Sequence, residues 1–446
     1  MLSLDLQNLS STRLGPDQGL ELEREWQAFS PRLEHIRGQL WQKRSESDTM
    51  LGWIEDILAP GLEQQIGKFR TAKAWVTDLV VLGIGGSALG AKAVDQALGQ
   101  GPVRLHFVDN VEPAPILQLL TSLNPATTLV DVISKSGTTA ETMAAFLVFR
   151  EWLENALAND WREHVVATTD PAKGVLREYA QKQGLSAFDI APSIGGRFSV
   201  LSPVGLLPLA FREISVRELL KGAEAANQQA TGSLNQHLAA HTALIQYLYY
   251  TRHKPVAVLM PYSSRMAGIS AWFVQLLAES LGKAESLNGS LAYVGPTPIG
   301  AVGATDQHSQ VQLFREGPFD KLITLVRLKD PGPDLPIPTV AGLEDLAYLS
   351  GHSFAELLDA EARATAHALL KARRPNYTLF LDTLDAFHLG MFLQHWMWHT
   401  AILGALLEIN AFDQPGVELG KVYTYALMGR AGYEQIAAEL NPELAP

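Results

Sequence analysis

Ser134-Lys135-Ser136-Gly137-Thr138-Thr139 places four hydroxyls, one lysine and one glycine within six residues. Hydroxyls and backbone N–H groups at the start of a helix suit a phosphate dianion, because the helix dipole is positive there. Thr138 and Glu141 have the spacing of a capping box, which would start a helix at this loop. The spacing is not that of a Walker A loop. A plain polar cap would need fewer hydroxyls. A second loop, Gly83-Ile84-Gly85-Gly86-Ser87-Ala88, fits the G-x-G-x-x-A dinucleotide fingerprint, and Asp109 follows where a ribose-binding acid would sit. Alone, that loop supports an NAD-dependent oxidoreductase, or only a tight turn. A dinucleotide fold does not call for the hydroxyl-rich loop, whereas a monophosphate site at strand ends does. Gly86, Ser87, Ser134, Lys135, Ser136, Thr138 and Thr139 are therefore candidate phosphate ligands.

Four further groups could move protons or hold charge. Met266, Ile269, Phe273 and Leu276 fall on one helical face, and Gln275 and Glu279 lie together at its edge. A carboxylate at the margin of an apolar face is partly desolvated, which suits a proton acceptor. On that pattern alone an ordinary surface glutamate is the simpler reading. His308, in Gly303-Ala304-Thr305-Asp306-Gln307-His308-Ser309-Gln310, is a candidate proton shuttle, set apart from the other histidines only by its loop. Arg197 follows Gly195-Gly196 and could face an anion or pair with a carboxylate. Lys421 closes Asp413-Gln414-Pro415-Gly416-Val417-Glu418-Leu419-Gly420-Lys421, where it is either a cationic donor or solvated.

These residues need elements to carry them. Leu79–Leu82, Val103–Val108, Leu129–Ile133 and Val165–Thr168 read as buried strands, with helices at Ala88–Leu98 and from Ala140. Alternation of strand, loop and helix predicts an α/β layer with a mostly parallel sheet. A second block of similar character begins at Val256–Met260, with a helix over Met266–Leu281 and a strand at Thr324–Leu328. Residues 17–70 read as helical, 212–245 as helical linkage, and helices dominate from Glu344 to Leu407. Ala411 to Lys421 reads as a loop, and a last helix closes the chain. The expected division is a helical segment over 1–75, α/β units over 76–211 and 251–430 joined by a helical linker over 212–250, and a tail over 431–446.

Composition sets the outer limits. The 446 residues exceed one ordinary core, 47% are hydrophobic and 18% charged, which suits a well-buried enzyme. A net charge of −12 with no dense basic run argues against nucleic acid. The absence of cysteine excludes disulfides, thiolate metal sites and thiol nucleophiles. No signal-peptide core and no run long enough to span a bilayer are evident, so a cytoplasmic location away from membranes is expected.

Taken together, Gly83–Gly90, Ser134–Thr139, Gly195–Leu207, Ala271–Lys283, Gly303–Leu313 and Gln414–Lys421 resemble, in order, the glucose-6-phosphate isomerase (phosphoglucose isomerase) family in its shorter bacterial form. The resemblance implies two sugar-isomerase (SIS-type) α/β domains, a homodimer with active sites shared between subunits, no metal or organic cofactor, and interconversion of glucose 6-phosphate and fructose 6-phosphate. It makes Glu279 the base that moves a proton between C2 and C1 through a cis-enediol. His308, given by the neighbouring subunit, and Lys421 would assist ring opening, and Arg197 would stabilise enediolate charge. Ser134, Lys135, Ser136 and Thr139 would hold the phosphate beside Gly86 and Ser87, with Gln275 and Gln414 on the sugar or phosphate. Ser136 stands where many relatives have Thr and keeps the hydroxyl. A non-catalytic sugar-phosphate-binding protein would need the loops but not Glu279.

Overall fold

The computed structural model describes residues 1–46 and 48–443. Two five-stranded sheets organise the chain. The first contains β2 (Asp78–Leu82), β3 (Arg104–Val108), β4 (Thr128–Ile133), β5 (Val165–Thr169) and β6 (Ser186–Asp189), in the order β3-β2-β4-β5-β6, all parallel. β2, β4 and β5 are buried along their whole length. Both faces of such a strand are covered by helices, which is why these segments read as continuous apolar runs. Asp131 breaks the run in β4. It is fully enclosed, accepts a hydrogen bond from the Thr168 hydroxyl at 2.8 Å, and burial pushes its carboxyl up to about 7.

The second sheet has the order β1-β12-β11-β7-β10, where β1 is Leu2–Asp5, β7 Val256–Pro261, β10 Thr297–Gly300, β11 Lys321–Leu328 and β12 Asn376–Leu381. Its strands are parallel except β1, which pairs antiparallel with β12. β8 (Lys283–Glu285) and β9 (Leu291–Val294) form a separate two-stranded ribbon. The helices that follow β2 and β7, Leu89–Leu98 and Ala267–Leu281, lie in close contact. A Cβ on Gly268 would come within 2.8 Å of the Ala93 Cα, so only glycine permits this approach.

Three expectations are corrected. The stretch Glu344 to Leu407 does contain helices, Phe354–Lys371 and Ala386–Leu406, but β12 lies between them. Tyr377-Thr378-Leu379-Phe380-Leu381 is rich in strand formers, and Pro375 ends the preceding helical pattern. The N-terminal segment is not wholly helical: beside helices Leu22–Gln42 and Leu62–Ala72 it supplies β1. The Ala411–Lys421 loop gives way at Glu418 to helix Glu418–Leu427, so Lys421 stands on a helix.

The helices Val216–Thr231 and Leu238–Thr251, expected as linkage, form a core with Ala386–Leu406. Three buried histidines sit in this core. His395 Nε2 and His399 Nδ1 lie 3.3 and 2.9 Å from the Thr242 hydroxyl, and neither ring nitrogen of His237 has a protein partner. No described helix is long and apolar enough to cross a membrane.

Candidate active site

The two loops found in the sequence meet at the carboxyl ends of β2 and β4, the topological switch point of the first sheet. Gly85 adopts φ +58°, which glycine tolerates best, and Gly85–Ser87 forms a single tight turn. In the second loop Ser134 Oγ lies 3.0 Å from Thr139 Oγ1 and accepts the Gly137 N–H at 3.1 Å. Ser136 Oγ accepts the Thr138 N–H at 3.2 Å, and Gly137 has φ +67°. The loop is thus folded by its own hydroxyls.

The capping box expected between Thr138 and Glu141 is absent. The helix begins at Ala140 with Thr139 as N-cap, and no side chain caps it. Its first N–H groups are left for another acceptor.

Lys135 turns toward the neighbouring loop, donating to the carbonyls of Pro192 at 2.7 Å and Ile194 at 3.0 Å. Burial lowers its pKa, an effect that nearby Asp170 opposes. Ser87, Ser134, Lys135, Ser136 and Thr139 border a cleft of about 940 Å³, together with Gln414 and Lys421 from the far side of the chain. Lys421 is half exposed and pairs with Glu418 at 2.7 Å.

Arg197 ties the far side to the near side. It is 3% exposed and uses all three guanidinium nitrogens. Nε donates to the Ser280 hydroxyl at 2.6 Å. One terminal nitrogen donates to Glu279 Oε1 and Gln414 Oε1, both at 3.0 Å. The other donates to the carbonyls of Ala411 at 2.7 Å and Asp413 at 3.0 Å. Burial lowers its pKa and the Glu279 carboxylate opposes that. The second Glu279 oxygen accepts from Gln275 Nε2 at 3.1 Å. Lys283 closes the carboxyl end of the same helix, donating to the carbonyls of Glu279 at 3.0 Å and Ser280 at 2.8 Å.

Gly86 packs directly on the Gly195–Arg197 turn: a Cβ there would lie 2.2 Å from the Gly196 carbonyl carbon and oxygen. That contact fills the face of the loop a dinucleotide pyrophosphate would need. Asp109 pairs with Lys92 at 2.9 Å.

The structure therefore brings Glu279, Gln275, Arg197, Gln414 and the two loops together. It does not bring His308, which is exposed on the turn Thr305–His308 beyond β10 and does not border the cleft. Lys173, Asp170 and Met50 border the cleft and were missed. Lys173 and Asp170 follow β5 directly, and position at the carboxyl end of a parallel strand was the signal available. Burial pushes the Asp170 carboxyl up, but the N–H groups of Ala172 and Lys173 and the nearby ammonium groups outweigh it and hold it low.

Known proteins bear on this geometry. The family model for phosphoglucose isomerase matches residues 62–442. The chain is 50% identical over 394 residues to a glucose-6-phosphate isomerase of Thermus thermophilus, covering 88% of this chain and 94% of that protein. It is 44% identical over 374 residues to one from Carboxydothermus hydrogenoformans, covering 81% of each. Among solved structures, a hypothetical protein from Thermus thermophilus superposes with a TM-score of 0.90 at 48% identity, over 96% of this chain and all of that one. A glucose-6-phosphate isomerase from Chlamydia trachomatis matches with a TM-score of 0.75 at 27% identity, over 92% of this chain and 81% of that one.

Proposed function

The chain belongs to the phosphoglucose isomerase family, and we infer from this and from its cleft that it interconverts D-glucose 6-phosphate and D-fructose 6-phosphate in glycolysis and gluconeogenesis. The observation that carries the mechanism is the Glu279–Arg197 contact of 3.0 Å, joined through Gln414 and the Gly195–Gly196 turn to the cleft that the hydroxyl-rich loop borders. A base and a fixed cation beside a phosphate anchor are what proton transfer through an enediolate needs.

In this reading the phosphate rests on Ser134, Ser136, Thr138 and Thr139, beside Gly86 and Ser87, at a helix start with free N–H groups. Lys135 adds positive charge and orders the loop before Gly195. Glu279 removes the proton from C2 and returns it to C1. Arg197 is the electrostatic partner of the enediolate, and needs no reorganisation because five hydrogen bonds already fix it. Gln275 and Gln414 contact the sugar or the phosphate. Lys421 sits near the ring oxygen and assists ring opening together with His308 of the partner subunit.

The exposed position of His308 supports a homodimer in which each site borrows that residue. The two sheets correspond to SIS-type units over 76–211 and 251–430, and the enzyme works in the cytoplasm without a cofactor. Glu279→Gln tests the assignment. It keeps the shape of the side chain and removes the base, so kcat should fall by about 10²–10⁴-fold while sugar-phosphate binding persists. Activity near that of the unchanged protein in a coupled fructose 6-phosphate assay rules Glu279 out as the base.

A further inference from the structure

The second sheet repeats the plan of the first. In the order β10-β7-β11 the chain leaves the middle strand, adds one strand on one side and returns to the other, as it does in β3-β2-β4. The switch point between β7 and β11 is thus the counterpart of the one that holds the hydroxyl-rich cleft. It opens into a cavity of about 840 Å³, bordered by Ser263, Ser264 and Arg265 after β7 and by Arg327 and Lys329 at the end of β11.

The polar groups here are arranged unevenly. Ser263 is 8% exposed, and its hydroxyl has no hydrogen-bond partner among the described residues. Arg327 Nε is buried without a partner. Arg265 makes only a 3.4 Å contact with the Pro331 carbonyl and pairs with no carboxylate among the described residues. The helix Ala267–Leu281 starts at this point with no side-chain cap.

The cavity's carboxylates are committed elsewhere. Glu356 and Ser353 cap the helix Phe354–Lys371 reciprocally. Asp334 accepts the N–H groups of Leu335 and Ala355, and Asp359 pairs with Arg327. Lys329 pairs with Asp382 at 2.8 Å. One helix start in the cavity is therefore filled by protein carboxylates, while at the other the preceding turn takes the Met266 and Ala267 N–H groups and Arg265 pairs with no carboxylate among the described residues. Exposed Leu335 and Phe354 form an apolar wall opposite.

We propose that this crevice is a second anion site, which takes a small phosphomonoester with an apolar body. The phosphate sits on Ser263, Ser264 and Arg265, and the body lies against Leu335 and Phe354. The parallel with the first sheet rests on the phosphate reading of Ser134–Thr139; the unpartnered donors do not.

Phenyl phosphate titrated calorimetrically into the whole protein tests this. Two sites per chain are expected, and Arg265→Ala should weaken one of them at least about tenfold, the loss of a charge-assisted contact. Ser263→Ala should weaken the same site severalfold. The isomerase rate of both variants should match that of the unchanged protein, which also reports correct folding. A single site per chain, or two sites with unchanged affinity in both variants, overturns the proposal. Failure of the isomerase reading would instead appear as an inactive unchanged protein, with the titration still readable.

Discussion

Gly86→Ala is the sharpest test of how the cleft is assembled. Gly86 has no positive φ, so alanine costs nothing in backbone conformation. The obstacle is purely the neighbouring turn. An added methyl would stand 2.2 Å from the Gly196 carbonyl and 2.6 Å from the Arg197 nitrogen. Ordinary carbon contacts begin near about 3.5 Å, so the two loops must part by about 1 Å. One loop carries Ser87 and the other carries Arg197, whose hydrogen bonds hold Glu279 and Gln414. A misplacement of about 1 Å costs on the order of 10²-fold in rate, or about 2.7 kcal/mol of transition-state stabilisation. Overpacking should remove a further 1–3 kcal/mol, roughly, from folding stability. The assay is fructose 6-phosphate turnover coupled to NADP reduction, with denaturant unfolding in parallel. Gly196→Ala approaches the same contact from the other side, where an added methyl meets nothing within 4 Å. It should leave stability unchanged or raise it by about 0.5 kcal/mol. If Gly86→Ala keeps kcat/KM within about threefold, close apposition of the two loops does not position Arg197, and the reasoning fails.

Arg197→Lys should destabilise by about 2–3 kcal/mol, because three donors cannot serve five acceptors, two of them in buried bonds; a lower urea midpoint with an unchanged slope is the readout. Acid should unfold the protein through its buried histidines. Burial holds His237 and His395 down at about 3, against 6.5 in the open chain. Below pH 6.5 the unfolded chain takes up protons that the folded one refuses, so the histidine contribution falls from pH 6.5 toward 3, while Asp131, pushed up to about 7, acts in the opposite direction as its carboxyl takes up a proton below pH 7. At pH 5 the two histidines together cost about 4 kcal/mol and protonated Asp131 offsets roughly half of it, so urea unfolding at pH 5 should show a stability about 1–2 kcal/mol below that at pH 7. If each site borrows His308 from a partner subunit, Glu279→Gln and His308→Ala, unfolded together in equal amounts and refolded, should recover about a quarter of normal activity, since half the dimers would be mixed and each mixed dimer would have one intact site. No recovery would place both residues in one chain's site.

The two loops at the ends of β2 and β4 were legible because short apolar runs ending in Gly, Ser and Thr have a local cause. A buried parallel strand and an anion-ready helix start each leave their mark within about ten residues. Glu279 was legible only as an edge position on a helix. Its partner in the structure is Arg197, 82 residues earlier, and no periodicity reports a contact across that separation. Strand β12 was hidden among helices because a short apolar run has no distinctive period. The capping box at Thr138 failed for a related reason. The motif describes an isolated helix start, and here Ser134, Ser136 and Thr139 have taken up the local hydrogen bonds. Lys173 escaped notice because one lysine after a strand differs from a solvated one only in where the cleft lies.

The antiparallel pairing of β1 with β12 has a consequence for synthesis on the ribosome. Residues 2–5 emerge long before their partner at 376–381. At about 5–20 residues per second, the first strand waits on the order of 20–70 s for the edge it completes. The first sheet, whose strands lie within 78–189, can form during that interval. This closure therefore joins an early segment to a late one, and until β12 emerges β1 has no strand to pair with.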